Sequence, residues 1–451
     1  MSAQAKIDHV RPAPPRRGIC PGLSRPLPTG DGLLVRILPI AAIALDGFAA
    51  LCALARHHGN GIVEITARGS IQVRGLSAHS APRFADAVAA LGTAAADGIP
   101  ILCNPLAGLD VAEIFDGAEF AAGLRGAVAR LSLAERLDPK VSVVIDGGGR
   151  LNLAGVPADI RVRAQLRNAR PVLRLAGGGD DANAFDLGMI TLDDGLEAIS
   201  RLLVVLAQRG TRARDIAAAE GLGCFEEALA FARRESLAQS GRDGAASETC
   251  STRGQCSEAI GLHELRDGSL ACGIGLAFGH AEAGALEKLA DAAVSAGAYG
   301  LRTAPNRSLL AIGVARENVE SFLATAAQLG FVNRADDPRR HVIACAGAPL
   351  CTSAYIAARA LAPRFAEAAA PYLSNGLMLH ISGCGKGCAH PGAASLTVVG
   401  THGHCAVVAN GSARDAAFTT APLDELPAIV AAQLRERHRS DRSAGEEVSH
   451  G

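Results

Sequence analysis

"HVIACAGAPLC", residues 341–351, and "MLHISGCGKGCAHPG", residues 378–392, each run from a short apolar strand into a bend of small residues that carries two cysteines. Five residues separate Cys345 from Cys351, 32 separate Cys351 from Cys384, and three separate Cys384 from Cys388. Because each pair follows a strand, both can emerge at one edge of a sheet. Ala346, Gly347, Gly383, Gly385 and Gly387 leave the backbone free to approach a bound group and to donate N–H groups to its sulfurs. Four thiolates are the usual complement of a [4Fe–4S] cluster. Zinc is the first rival, although structural zinc prefers tighter knuckles with two residues between cysteines; unrelated buried thiols are the second. The spacing favours the iron–sulfur reading.

Outward from these stretches the chain repeats itself. "GDGLLVRILPI" reads as a strand, "LDGFAALCALARHHG" as an amphipathic helix ending at Gly59, and "GIVEITARGSIQVRGL" as a β-hairpin turning at Arg68-Gly69-Ser70. About 237 residues later, "GSLACGIGLAFG", "AGALEKLADAAVSAG" and "AYGLRTAPNRSLLAIGV" give strand, helix and strand pair again, with Thr303-Ala304 where Thr66-Ala67 stood. Each copy precedes a longer α/β stretch. The first runs through "ILCNPLAGLD", strands near "KVSVVIDGGG", "LNLAGV" and "IRVRAQ", and then helices. The second holds the cysteine pairs and strands near "SLTVVG" and "CAVVAN". Between the halves, "SLAQSGRDGAASETCSTRGQCS" reads as an exposed linker, its Cys250 and Cys256 incidental.

Composition narrows the function classes. The chain has 451 residues, long enough for several domains, and a formal net charge of −1, which argues against general nucleic-acid binding. With no Trp and 3% aromatics, the cores must be aliphatic and alanine-rich. Residues 1–17 lack the apolar segment of a signal peptide and no apolar run reaches membrane-spanning length. A cytoplasmic location is expected, where twelve cysteines suggest metal binding or inert thiols rather than disulfides. "GIGLAFG", residues 273–279, lies in an expected strand, so it lacks the helix that a dinucleotide fingerprint opens.

The cysteine spacing resembles the cluster signature of the sulfite and nitrite reductase superfamily, whose enzymes couple a [4Fe–4S] cluster to siroheme. The likeness extends from about Cys20 to residue 433. It implies an α+β fold: two ferredoxin-like half-domains pairing into one domain, plus two α/β domains. The corresponding division is a disordered tail 1–17, a first half-domain 18–80, an α/β domain 81–235, a linker 236–260, a second half-domain 261–330, a cluster-binding α/β domain 331–435 and a disordered tail 436–451. It also implies that Cys345, Cys351, Cys384 and Cys388 hold the cluster, with Cys388 nearest the tetrapyrrole. Thr66, Arg68 and Gln72 would hold tetrapyrrole carboxylates.

Within the superfamily, "RRGICPGLSRPLPTGDGLLVRI", "TARGSIQVRGL" and "HISGCGKGCAHPG" resemble the precorrin-3B synthase branch. That resemblance implies a monooxygenase acting on precorrin-3A with O2, hydroxylating C20 while the ring A acetate closes a γ-lactone at C1. It further implies a mononuclear non-haem iron beside the cluster and an external electron donor, a reductase or ferredoxin. Siroheme belongs to the alternative reading, a sulfite or nitrite reductase. A third reading is a tetrapyrrole-binding or electron-transfer protein without turnover.

Two departures disfavour the reductase. Where those enzymes place a basic residue before an "N-P…G-D"-like segment, this chain has Ile99 and Pro100; of a lysine pair separated by one residue, only Lys140 remains, with Ser142 in the second place. Lys140 and Lys386 are two of only four lysines beside 40 arginines, which marks both ammonium groups as candidate proton donors or point charges. Arg68, Arg74, Arg302 and Arg307 are candidates for pairing with substrate carboxylates, and Gln72 for a hydrogen bond to one. For a second iron, two imidazoles and a carboxylate are the common set; His390 lies just after the cluster cysteines, His402 and His404 group with Cys405, and His341 and His380 lie in the strands that lead into the cysteine pairs.

Overall fold

The structure, a computed structural model, describes residues 21–92, 95, 98–232, 258–373 and 377–448. The expected N-terminal tail and the linker stretch with Cys250 and Cys256 lie outside the described residues. The first half opens with β1 (Leu27–Thr29), β2 (Gly32–Ile37), β3 (Ile43–Ala44), α1 (Leu45–His58), β4 (Ile62–Ile65), β5 (Ile71–Leu76) and α2 (Ser80–Ala90). Its α/β domain follows as β6 (Ile101–Cys103), α3 (Gly117–Arg130), β7 (Val143–Asp146), β8 (Ala158–Arg167), β9 (Arg170–Gly179), β10 (Phe185–Thr191), α4 (Gly195–Arg209), α5 (Ala213–Glu220) and α6 (Gly223–Ala228). The second half opens with β11 (Gly261–Glu264), β12 (Leu270–Gly275), β13 (His280–Glu282), α7 (Ala283–Ser295), β14 (Gly300–Ala304), β15 (Ser308–Val314) and α8 (Val319–Gln328). It closes with β16 (Val342–Ala344), α9 (Ala358–Ala369), β17 (Leu379–Ser382), β18 (Ala394–Gly400), β19 (Cys405–Gly411), β20 (Thr419–Ala421) and α10 (Leu426–Val448).

The duplication is written into the sheets. One half-domain sheet runs β1-β2-β5-β4-β13 and the other β11-β12-β15-β14-β3. The end strands are exchanged: β13, which enters α7, pairs with β4, and β3, which enters α1, pairs with β14. Apolar residues of α1 recur at helical spacing, Phe48, Leu51, Cys52 and Ala55, and bury with Leu286 and Leu289 of α7 in one core shared by both halves. Ala81, Phe84 and Val88 of α2 join that core, so the division expected at residue 80 falls at the start of a helix that belongs to it.

Both α/β domains repeat one topology. β6, β7 and β8 are parallel and β9 and β10 return antiparallel; β16, β17 and β18 are parallel and β19 and β20 return antiparallel. Three expectations from sequence need correcting here. "LNLAGV" is a loop: its Leu151, Leu153 and Val156 are buried while Arg161 donates to the Leu153 and Ala154 carbonyls at 3.0 and 3.3 Å. Helices expected after "IRVRAQ" give way first to β9 and β10, because β8 and β9 are joined by a two-residue turn at Asn168-Ala169 with φ of 50° and 59°. Ala is a poor announcer of such a turn. The expected tail from residue 436 instead continues α10 to Val448, anchored by buried Leu426, Val430 and Leu434 one turn apart and followed by Arg, Glu and Ala, good helix formers. Among the described residues no helix is long and apolar enough to cross a membrane.

Candidate functional site

Cys345 is the first residue after β16 and Cys384 the second after β17, and these strands are parallel neighbours. Both loops therefore leave the same edge of the sheet, the carboxyl end where parallel sheets open a crevice. The Gly383 N–H donates to Cys345 Sγ at 3.1 Å. Gly347, with φ of +68°, lets the first loop double back, and a Cβ there would lie 2.3 Å from the Ala358 nitrogen. From the half-domain sheet, the β1–β2 turn closes over the second cysteine: Thr352 N–H donates to Gly30 O at 2.9 Å, and a Cβ on Gly30 would meet Cys351 Sγ at 2.3 Å.

The four sulfurs act on one another. Burial pushes the Cys345 thiol up, the Gly383 and Gly347 N–H groups pull it back, and Cys384 and Cys351 raise it further. Burial likewise raises Cys388, with Cys345 adding to it and Arg74 opposing. As a residue, Cys388 is exposed. Among the described residues no three His, Cys, Asp or Glu side chains close on a point as ligands of a single metal ion do.

A layer of charge lies beside the thiols. Arg74 binds Asp31 through Nε and Nη2, both at 2.8 Å, and stands 3.7 Å from Glu64. Burial alone would lower the Arg74 pKa, but Asp31 and Glu64 overcome it and hold the guanidinium charged; Asp31 is in turn held below its usual value. Arg359 reaches Glu64 at 2.9 Å, while its Nε and Nη1 are buried without a partner and Cys345 acts on it through space. Those orphaned donors, the inward N–H groups and the glycine cradle are what an anionic iron–sulfur cluster would fill, so the residues fit the group. Gln72 donates to Glu64 at 2.8 Å and accepts from Arg36 at 2.6 Å. Arg307 is half-buried, in the left-handed region at φ 63°, and burial pulls its pKa down to about 10 against the effect of Glu64.

Farther along the hairpin, Thr66 Oγ1 accepts the Ser70 N–H at 3.0 Å and so shapes the turn that carries Arg68. Arg68 crosses to the first α/β domain, donating to Pro157 O at 2.7 Å and to Ser142 Oγ at 3.3 Å. Arg302 crosses likewise to Ala107 O at 3.0 Å. Lys386 is exposed on the second cysteine loop and donates to Ser353 Oγ at 2.9 Å; Lys140 is exposed near Ser142. The structure therefore brings together the four cysteines, Gln72 and Arg74, and separately places Arg68 and Arg302 against the first α/β domain. His390 Nε2 meets Ala393 O at 3.0 Å and the His402 ring lies 4.8 Å from that of Tyr355. These two and His404 form no three-ligand metal site among the described residues. Sequence reasoning missed Asp31, Glu64, Arg359 and Gly30, whose partners lie tens to hundreds of residues away.

The two α/β domains share a local device at matching strand ends. Asn104 follows β6 as Cys345 follows β16, and the Gly147 N–H donates to Asn104 Oδ1 at 2.6 Å as that of Gly383 donates to Cys345 Sγ. The same backbone device meets an amide oxygen in one half and a thiol in the other.

Comparison with known proteins agrees with this architecture. Residues 25–91 match the nitrite/sulfite reductase ferredoxin-like half domain family. A solved structure of the Mycobacterium tuberculosis NirA protein superposes with a TM-score of 0.67 at 20% identity, covering 88% of this chain and 79% of that one, a likeness of fold. The sulfite reductase [NADPH] hemoprotein beta-component of Shewanella halifaxensis is 32% identical over 106 residues, 22% of this chain and 19% of that one. A precorrin-3B synthase of Sinorhizobium sp. is 37% identical over 436 residues, 96% of this chain and 91% of that one. On this near end-to-end identity, the chain belongs to the precorrin-3B synthase family, within the sulfite and nitrite reductase superfamily.

Proposed function

We propose that this protein is an oxygen-dependent precorrin-3B synthase, an iron–sulfur monooxygenase that hydroxylates precorrin-3A at C20 as the ring A acetate closes a γ-lactone on C1. The observation that carries the reading is the 37% identity over 96% of this chain to a precorrin-3B synthase, supported by four cysteines that act on one another through space near Arg74 and Arg359. One oxygen atom of O2 enters the product and the other leaves as water, so each turnover draws two electrons and two protons. The electrons come from an external reductase or ferredoxin. A [4Fe–4S] cluster on Cys345, Cys351, Cys384 and Cys388 supplies electrons singly when bound.

The chain's own residues bind and orient. Arg68, fixed by Pro157 O and the Ser142 hydroxyl, and Arg302 meet carboxylate arms of the macrocycle at the boundary with the first α/β domain. Gln72 and Arg74 act through Glu64 and Asp31, keeping fixed positive charge beside Cys388. Lys386, poised on Ser353, and Lys140 deliver protons from the solvent-facing rim. No residue is assigned to a mononuclear iron. At the place of a reductase's second lysine, Ser142 accepts from Arg68 instead, which supports oxygenase chemistry over reduction of an inorganic anion.

The test is to isolate the protein without air and supply precorrin-3A, reductant and labelled O2. A hydroxylactone one oxygen heavier, with the label in the C20 hydroxyl and none in the lactone, is the expected product. A strong siroheme spectrum with sulfite- or nitrite-dependent electron uptake, and no hydroxylactone, would replace this reading with the reductase.

A further inference from the structure

Between the hairpin turns of the half-domains and the first α/β domain lies a narrow cavity of about 40 Å³, lined among others by Arg68, Cys103, Asn104, Arg125 and Arg302. Three guanidinium groups face this one small space. Arg302 is 8% exposed, and its hydrogen bond goes to a neutral carbonyl, Ala107 O. Arg125, from α3, reaches Ile101 O at 3.4 Å and hydrogen-bonds the Cys103 side chain, both neutral groups, and its Nε is buried without a partner. Neither arginine forms a salt bridge with a described residue; Glu113 and Asp116 act on Arg302 only through space. The one acidic group in the lining cannot supply the missing charge, because burial raises the pKa of Cys103 despite both arginines and keeps it a neutral thiol.

The other fully buried arginines among the described residues pair with carboxylates, Arg74 with Asp31 and Arg161 with Asp181. A buried cation left uncompensated is costly, and two side by side are more so. We propose that the cavity is an oxyanion site, in which Arg125 and Arg302, joined by Arg68, clasp one carboxylate- or sulfate-sized anion. Its volume has room for a few waters or one small oxyanion and none for a tetrapyrrole ring, so it takes either the end of a carboxylate arm or a free inorganic anion. As an arm site, the assignment rests on the function proposed above, and it makes Arg125 a substrate-positioning residue. Planar guanidinium forks are suited to such oxygen pairs.

The test uses full-length, iron-loaded protein with Arg125→Gln and Arg302→Met variants. Two quantities are measured: precorrin-3A binding under argon, followed by its visible absorption, and thermal protection by sulfate at constant ionic strength against chloride. The expected result is that each variant weakens precorrin-3A binding about tenfold or more, that sulfate competes with precorrin-3A in the unaltered protein, and that the cluster absorption is unchanged. Arg302→Met should also raise the anion-free melting temperature by a few degrees, since it removes an uncompensated charge; a merely structural arginine would lower it. Sulfate protection lost in the variants with precorrin-3A binding intact would uphold the oxyanion site and assign it to a free inorganic anion. If the unaltered protein binds no precorrin-3A yet keeps variant-sensitive sulfate protection, the cavity stands and the proposed function falls. Sulfate protection and precorrin-3A binding both indifferent to Arg125→Gln, whose half-buried position on α3 tolerates the change, would overturn the proposal even if Arg302→Met failed to fold.

Discussion

Arg74 joins a buried ion pair to the electrostatics of the thiols. Its fork meets both oxygens of Asp31, with side-chain exposures of 10% and 2%, and its charge acts on Cys388. Breaking such a buried pair leaves a bare carboxylate, so Arg74→Met should destabilise the protein by about 3–5 kcal/mol, read as a shifted urea midpoint. Adding Asp31→Leu removes the stranded charge and should recover most of that loss. Stability restored without restoring the cluster's reduction potential would separate the two roles. The residue type was legible in sequence as a candidate carboxylate binder, but its partner was not. Asp31 lies 43 positions away, and only the pairing of the strands around it makes the two adjacent.

At the scale of elements, the decisive piece is a turn that belongs to a different sheet from the cysteines. The β1–β2 turn lies against Cys351, and at Gly30 there is no room for a Cβ beside the sulfur. Gly30→Ala should leave the fold intact by circular dichroism while lowering iron affinity about tenfold or more, measured by iron retention against a chelator. Retention equal to that of the unaltered protein would show that the turn gives way. Strand endings tell the same story by comparison, since Asn104 and Cys345 occupy matching positions after β6 and β16 and take the same N–H donor. Spacing identifies the cysteines as a set, yet nothing in the spacing distinguishes Gly30 from any other turn glycine. The turn between β8 and β9 was equally silent: Asn168-Ala169 lacks the glycine that usually announces a two-residue hairpin.

For the whole molecule, the exchanged strands β3 and β13 mean that neither half-domain sheet is complete without the other half. Residues 21–232 and 258–448 produced as separate chains should therefore copurify when coexpressed, and either alone should aggregate, as size-exclusion chromatography would report. A monomeric, folded single half would contradict this. Acid should weaken the assembly in a defined window. Burial, helped by neighbouring cations, pulls the His280 and His380 imidazoles down to about 3 from an ordinary 6.5. The unfolded chain then binds protons that the folded one refuses, so stability is complete above about pH 6.5 and is lost as pH falls toward about 3, by roughly 1.4 kcal/mol per unit for each imidazole. Urea midpoints at about pH 7 and about pH 5 should fall accordingly. His380→Leu, which also removes two buried ring nitrogens without partners, should flatten that slope.

Local chemistry by itself determined the duplicated strand–helix–hairpin and marked the four cysteines as a set. Alternation, helical spacing and cysteine intervals are short-range properties that survive in a linear reading. Tertiary structure alone decided that the halves exchange strands, that Gly30, Arg359 and Glu64 belong to the thiol site, and that Arg125 joins Arg302 in a cavity. Those facts are made of contacts between distant segments. Buried charge takes its meaning from what lies within a few ångströms, and the sequence does not record that distance.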